Sequence, residues 1–458
     1  MSKEQVTIRP ITPDPHPNRP LGLGALLTVA IGNVFSASVY SLQAPASGLT
    51  GRSAWLAFAV AVVIGFLTVL PYLLLSGAIA FKGGDFTLVQ LGLGKMASGL
   101  FAWYFILMCI GPAISVSAIG GYFTTLWPNA PGTLIAIAVV VLIFLLNIMP
   151  IKAVSKAQNY MFYLLCAATA VYVIYGIFHI NPDAFDFSAP NYFSGGMKGF
   201  MAASTTFTAT TAFYIQTYAL APMSKNPRSH MPKAMFITAV IILFLYPLMT
   251  LINVNTLPWE ATVGKTMVGT AQALLPPVLF VFFVICGPFL SVTTTLNAGF
   301  MALARPFEAA ADIGWLPRII TKKNKHGAPV GTMCILLFMS VVPVLVFKNI
   351  LVIANATVLI QNIIKIVCLL AAWRIPAIFP EFWKTGLFRK MPIAVYYLIL
   401  AICTAVQLYL VVTACISLAA WQVWVSIGLL VLMTIIALIW YAKKGKDVET
   451  EIDYDSMS

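Results

Sequence analysis

Twelve stretches of roughly 20 apolar residues, the number a helix needs to cross a hydrocarbon core, constrain this chain more than any other feature. They lie at approximately 21–46, 54–81, 97–125, 131–149, 156–179, 196–221, 233–255, 269–304, 330–347, 349–373, 392–414 and 419–441. Of the 458 residues, 60% are hydrophobic and 9% charged, where a soluble domain carries about 25% charged residues. The expected fold is therefore an all-α polytopic membrane protein. The first and eighth stretches exceed one bilayer thickness, so each is expected to be tilted, broken or extended beyond the membrane.

Charge placement orients these spans. With the N-terminus inside, Arg52, Lys198, Lys265 and Lys348 fall outside and Lys365 falls within a span. The other 22 of the 27 Lys and Arg then lie on cytoplasmic segments, as the bias of basic residues toward that side requires. Both termini are expected to be cytoplasmic, in the inner or plasma membrane of the cell. Residues 1–20 form a proline-rich N-terminal tail with no apolar signal region, and 442–458 an acidic tail. The net charge of +13 sits in short loops between spans and implies no nucleic-acid partner. The cysteines are odd in number, lie in apolar segments and form no CxxC, so neither a disulfide framework nor a metal site is expected. The four histidines are scattered over termini and loops. No clustered nucleophile, paired intramembrane acid or filter motif is present, which argues against an enzyme and against a channel.

Two spans are polar at mid-depth. The first contains "FSASVY" (Phe35–Tyr40), and the sixth contains Ser204–Thr211, with five threonines and one serine. Small and hydroxylated residues permit close helix packing; they also let a helix open and satisfy its freed backbone groups. Corresponding interruptions in two halves of a transporter point to its binding site. A connection after the second span, "FKGGDFTLVQLGLGK" (Phe81–Lys95), is too apolar for a plain loop and reads as a short interfacial helix.

These segments, with several further motifs in order, resemble the amino acid–polyamine–organocation superfamily of permeases across spans one to ten. "FSASVY" occupies the place of that family's "IGSGIF", and "GAIAFKGGDF" (Gly77–Phe86) resembles its Gly-Gly turn after span two. "LNIMPIKAVSKAQNY" (Leu146–Tyr160) resembles its link between spans four and five, with Pro150 at a glycine position. "APMSKNPRSHMPKAM" (Ala221–Met235) follows its "EEVKNPxRxIPRA" segment. "LNAGFMALARPFEAAADIGWLPRIITKKNKHGAPV" (Leu296–Val330) follows its "AMARDGxLPxxF" segment most closely.

The resemblance implies a 5+5 inverted repeat (LeuT-like), 21–179 and 196–373, with broken helices 1 and 6 and two extra helices over 392–441. It departs at Ser36 and Ser38, which replace glycines, and at Ile215 and Gln216, which stand where relatives carry an acid. It departs also at Cys166, near the place of a span-five lysine that substitutes for sodium in some relatives.

On this reading the substrate carboxylate meets amides and hydroxyls of Ser36, Ala37 and Ser38, with Val39 beside them. The ammonium meets carbonyls around Ile31 and Gly32 and around Phe207, Thr208, Thr210 and Thr211, while Ala212 and Phe213 line the side-chain pocket. All fourteen Asp and Glu lie in tails or loops, which disfavours a cationic substrate, since an intramembrane charge costs about 2.5–3.5 kcal/mol even on mild scales. A small neutral amino acid fits best, moved by symport or exchange; the alternative is another organic solute such as an amine, nucleobase or osmolyte.

No cofactor is implied beyond Na+ or H+ as coupling ion. A cation site would join carbonyls near Gly32 and Phe35 to span-eight hydroxyls, Thr293 and Thr294 among them, unless those threonines bond their own helix. Lys365 is either an internal charge carrier or a side chain that snorkels toward the cytosol. Oligomeric state is left open.

Overall fold

The computed structural model describes residues 19–444 except Lys82, Ala209, Phe347, Lys348, Asn349 and Ala419; at Ala37, Ser38, Thr125, Leu126, Glu260, residues 350–358, Phe382, Thr385, Ser417 and Lys444 it describes the backbone alone. The expected tails thus lie almost wholly outside the described residues. Among those described, the chain is helical, with two isolated β-bridges, Leu21 with Ser224 and Lys323 with Pro329.

The first apolar stretch is not one helix. α1 (Leu23–Val34) ends at Phe35, whose ψ of 73° leaves the helical region; α2 (Ala37–Ser41) and α3 (Gln43–Thr50) continue with a looser turn at Leu42. Gly51 then turns the chain into a short 3-10 segment at φ 80°, where a Cβ would lie 2.1 Å from the Asn191 carbonyl. Only glycine suits that backbone.

α4 (Ala54–Ser76) follows, then α5 (Asp85–Leu93), α6 (Lys95–Met108), α7 (Pro112–Leu126), α8 (Gly132–Asn147) and α9 (Ile151–Ile177). α10 (Gly196–Thr208) stops within the threonine-rich stretch, and the chain resumes at Phe213–Met223 as 3-10 helix. α11 (Pro227–Asn255), α12 (Trp259–Thr262), α13 (Met267–Leu274) and α14 (Pro277–Val284) lead to a π-helical turn over Ile285–Phe289. Pro288 removes a backbone donor there, and the extra residue per turn absorbs the loss. α15 (Leu290–Asp312), α16 (Val330–Val346), α17 (Ile350–Ile378), α18 (Pro380–Thr385), α19 (Ile393–Ser417) and α20 (Ala420–Lys444) complete the chain.

Among the described residues, eight helical segments are long and apolar enough to cross a membrane, and Leu23–Val34, Gly132–Asn147 and Val330–Val346 are shorter apolar helices. The molecule is a multi-pass helical membrane protein. The first stretch is interrupted at Phe35–Ser36, and the eighth runs as one long helical segment, Pro277–Asp312, with a π turn inside it.

α5 departs from expectation. It is helical, but Phe86, Leu88, Val89 and Leu91 are buried rather than interfacial. Three glycines let it sink. A Cβ at Gly83 would lie 2.3 Å from the Ala309 methyl, one at Gly84 2.8 Å from that of Ala219, and one at Gly92 2.5 Å from the Ala371 carbonyl oxygen.

The aromatic residues at the two ends of α20 divide. Trp421 and Trp424 are exposed. Trp440 donates to the Gly314 carbonyl at 3.0 Å, and Tyr441 stacks on Trp315.

Gly92→Ala places a methyl against backbone that cannot yield, so overpacking should destabilise by about 1–3 kcal/mol. Its thermal unfolding in detergent should begin several degrees below wild type. Gly299→Ala, with nothing within 4 Å of the added Cβ, should unfold as wild type does.

Candidate functional site

A helix that stops inside a membrane leaves carbonyls without intrahelical partners, and burial makes each unpaired group costly. The first break meets this demand with hydroxyls from other helices. Thr295 on α15 donates to the Gly32 carbonyl at 2.8 Å, and Tyr246 on α11 donates to Val34 at 2.9 Å. Ser291 and Thr295 donate to Phe35 at 2.5 and 3.2 Å. Thr293 and Thr294, named above as cation ligands, bond their own helix at the Phe289 and Ser291 carbonyls instead. A helix places i and i+4 on one face, so Ser291 and Thr295 reach α1 together. The bonding of Thr293 and Thr294 is the alternative stated above, in which those threonines bond their own helix.

The second break is satisfied mostly from within. At the end of α10 the hydroxyls of Thr208, Thr210 and Thr211 bond the carbonyls of Thr205, Phe207 and Thr208. Thr211 also crosses to the Ala61 carbonyl on α4 at 3.2 Å. Gly65 makes room for that approach, since a Cβ there would lie 2.0 Å from the Thr211 hydroxyl.

An aromatic chain joins the two breaks. Phe35 contacts Tyr246 at 5.4 Å between ring centroids, Tyr246 contacts Phe58 at 5.0 Å, and Phe58 stacks on Phe207 at 4.0 Å. Tyr40, Phe283 and Tyr172 extend it from Phe35. Ile31, Gly32, Ser36, Val39, Phe207, Thr210 and Thr211 are buried, whereas Thr208, Ala212 and Phe213 are half-buried. The backbone of Ala37 and Ser38 opens the resumed helix, where first-turn amides have no intrahelical acceptor. On the other side of the break the carbonyls of Gly32, Val34 and Phe35 are met by the hydroxyls of Thr295, Tyr246 and Ser291.

Behind α1 runs a chain of buried amides that the sequence disclosed only in part. Asn147 donates to Asn297 at 2.8 Å, Asn297 to Gln158 at 2.8 Å, and Gln158 to the Thr28 carbonyl at 3.3 Å. Thr28 in turn donates to Asn159 at 2.6 Å. Gly32 is essential to this packing, because a Cβ there would lie 2.2 Å from the Gln158 amide nitrogen. Cys166 is exposed, so the polar contact from α9 to α1 comes from Gln158, two turns earlier. Asn33 is buried, and its amide nitrogen has no hydrogen-bond partner among the described residues.

Lys365 lies half-buried on α17. Its ammonium acts on the carboxylate of Asp85, which also accepts a hydrogen bond from Tyr218. Asp85 therefore belongs to the helical bundle, in contrast to its reading as a loop residue. Only its position beside a Gly-Gly turn in an unusually apolar connection could have signalled this. The expected pairing at the end of α15 forms between Arg305 and Glu308 at 2.5 Å.

Two helices are interrupted among packed spans, at Phe35–Ser36 and at Thr210–Ala212, an arrangement that membrane transporters use to hold a small solute. The family described as amino acid permease matches residues 21–438, and the chain belongs to it: this is a membrane transporter of amino acids, not an enzyme. The chain is 25% identical to an inner membrane transport protein, YbaT, of Escherichia coli, over 75% of this chain and 81% of that one. It is 24% identical to the branched-chain amino acid permease BcaP of Lactococcus lactis, over 72% and 76% of the two chains. The permease of the same name in Bacillus subtilis is 22% identical, over 70% and 74%.

Asn297→Leu removes two hydrogen bonds and leaves the Gln158 oxygen buried and unpaired, at about 1–3 kcal/mol for that stranded group, while the Asn147 amide keeps its bond to the Ile143 carbonyl at 2.9 Å. Its unfolding temperature in detergent should fall accordingly. Because both residues belong to one chain of bonds, adding Gln158→Leu should cost less than the two single losses combined.

Proposed function

We propose that the chain is a secondary active transporter that moves a small neutral amino acid across the inner or plasma membrane by alternating access, through symport or exchange. The observation that carries this reading is the pair of enclosed breaks at Phe35–Ser36 and Thr210–Ala212, joined by the Phe35–Tyr246–Phe58–Phe207 chain. A zwitterion needs donors for its carboxylate and acceptors for its ammonium. Amides at Ala37 and Ser38 suit the first, and carbonyls near Ile31 and around Phe207 suit the second. Half-buried Ala212 and Phe213 offer an apolar surface to the side chain. The inverted repeat, 21–179 against 196–373, supplies two such breaks from one architecture, with α19 and α20 outside it.

Charge supports a neutral side chain. Asp85 is the acid drawn in beside the span-six segment, and Lys365 offsets it, so no net negative charge remains to select a cationic substrate. Two of the relatives above carry the name branched-chain amino acid permease, which favours an apolar substrate over amines, nucleobases or osmolytes. The lopsided distribution of the basic residues favours cytoplasmic termini.

The carbonyls of Gly32 and Phe35 are those that a sodium ion would use in the site drawn from the sequence. Ser291 and Thr295 already donate to both, and we assign to these hydroxyls the bridging role that a cation would otherwise play. Uptake should then be unchanged when sodium is replaced by choline at fixed pH. Ser291→Ala with Thr295→Ala should lower uptake at least tenfold. A requirement for a sodium gradient would overturn this assignment.

Proteoliposomes tested with a panel of labelled solutes should take up leucine, valine, alanine or similar neutral amino acids in preference to arginine, lysine, polyamines or nucleobases. Preference for a cationic solute would refute the neutral-substrate reading. Ser36 is buried at the break, so Ser36→Leu should abolish uptake while leaving a monodisperse, folded protein by size-exclusion chromatography. Normal uptake by this variant would place the substrate elsewhere.

A further inference from the structure

We propose that Asp85, enclosed by Tyr218, Cys368, Lys365 and Tyr72, is a proton-binding site through which amino acid transport is coupled to the proton gradient. The inference rests on the transporter reading above and adds to it the ion and the residue that takes it up.

The site is built from four parts of the chain. Asp85 opens α5, the helix that three glycines allow to sink between its neighbours. From the 3-10 segment after the second break, Tyr218 donates its hydroxyl to Asp85 Oδ1. From α17 come the Cys368 thiol, against both Asp85 and Tyr72, and the Lys365 ammonium. From α4, Tyr72 packs edge-on to Tyr218 at 5.6 Å, and Phe81 closes the other side at 5.8 Å. Tyr72, Tyr218, Phe81 and Cys368 are buried, while Asp85 and Lys365 keep partial access to solvent. α6 and α15 also pack on α5; they carry Lys95 and the paired Arg305 and Glu308.

A proton acceptor that drives transport must change its bonding when it takes up the proton and must touch the parts that move. Asp85 meets both demands. Ionised, it accepts from Tyr218 and offsets Lys365. Protonated on a carboxylate oxygen, it leaves the Lys365 charge unmatched in a partly desolvated place, where an unpaired ammonium is costly. The α5–α17 contact then loosens as that side chain moves toward water. Tyr218 belongs to the half-span that follows the second break, so the same event reaches the substrate site. The proton therefore favours one arrangement of the helices over the other, which is all that coupling requires. The carboxyl is suited to this by its surroundings. Burial pushes it above the usual carboxylate range, opposed by hydrogen bonds from Tyr218 and Cys368 and by the Lys365 ammonium. The proton enters from water on one side of the membrane and returns to water on the other, and no further reactant is needed.

The full-length protein reconstituted in liposomes supplies the test. Wild type should accumulate neutral amino acid against its gradient when the interior is made alkaline, and should also exchange amino acid between equal pools. In Asp85→Asn, the ratio of pH-driven accumulation to exchange should fall at least tenfold. Infrared titration of the purified protein reads the site without transport. A carboxylic C=O band should grow in wild type as pH is lowered and be missing in Asp85→Asn. Lys365→Met and Tyr218→Phe should each move its midpoint to higher pH, because each removes a group that favours the carboxylate. Tyr218→Phe keeps the ring packing, so a shift there cannot come from lost structure alone. An unchanged band in Asp85→Asn, unmoved midpoints in the other two variants, or retained pH-driven accumulation would each overturn the proposal. Wild-type protein that exchanges no amino acid but shows the band and both shifts would refute the transporter reading and leave the proton site standing.

Discussion

A carbonyl that leaves a helix within the apolar core of a bilayer must find another donor, because no water is there to supply one. The arrangement of this protein follows from how that demand is met at Gly32, Val34 and Phe35. Tyr246, Ser291 and Thr295 provide the donors, so α11 and α15 must both lie against the end of α1. Once they do, Phe35 falls against Tyr246 and Tyr40 against Phe283, and the aromatic chain toward Phe207 is completed through Phe58. A helix interruption that would be a defect in an isolated span becomes the point where three spans are fixed together.

The buried amides behind α1 set its position from the other side. Asn147, Asn297 and Gln158 come from α8, α15 and α9, and their bonds end on the Thr28 carbonyl. Such bonds are individually modest in membranes, averaging about 0.6 kcal/mol. Their value lies in direction: a chain of amides has one register in which every member is paired, so it specifies how the helices rotate against one another. Gly32 lets this register coexist with a close approach of α9 to α1.

Much of the fold was legible in the sequence because a bilayer imposes a simple code of length, hydropathy and charge placement. The helix ends fall within a few residues of the apolar stretches, and the break at Phe35–Ser36 coincides with the small, hydroxylated run that suggested it. What the sequence could not supply was azimuth. Ser291, Thr293, Thr294 and Thr295 all lie at a suitable depth, and only the rotation of α15 decides which of them face α1. Gln158 was hidden for the same reason, while Cys166, two turns along the same helix, faces outward. Asp85 was misjudged by a different cause. An acid beside two glycines reads as loop, and its enclosure depends on contacts with Ala219, Ala309 and Ala371 that lie far along the chain.

The bridge between Leu21 and Ser224 has a mechanical consequence. Leu21 donates to the Met223 carbonyl at 2.9 Å and accepts from the Lys225 amide at 2.9 Å, so the start of the first interrupted span is strapped to the end of the sixth. A displacement of Leu21 or of Met223–Lys225 is therefore delivered to both interrupted helices together.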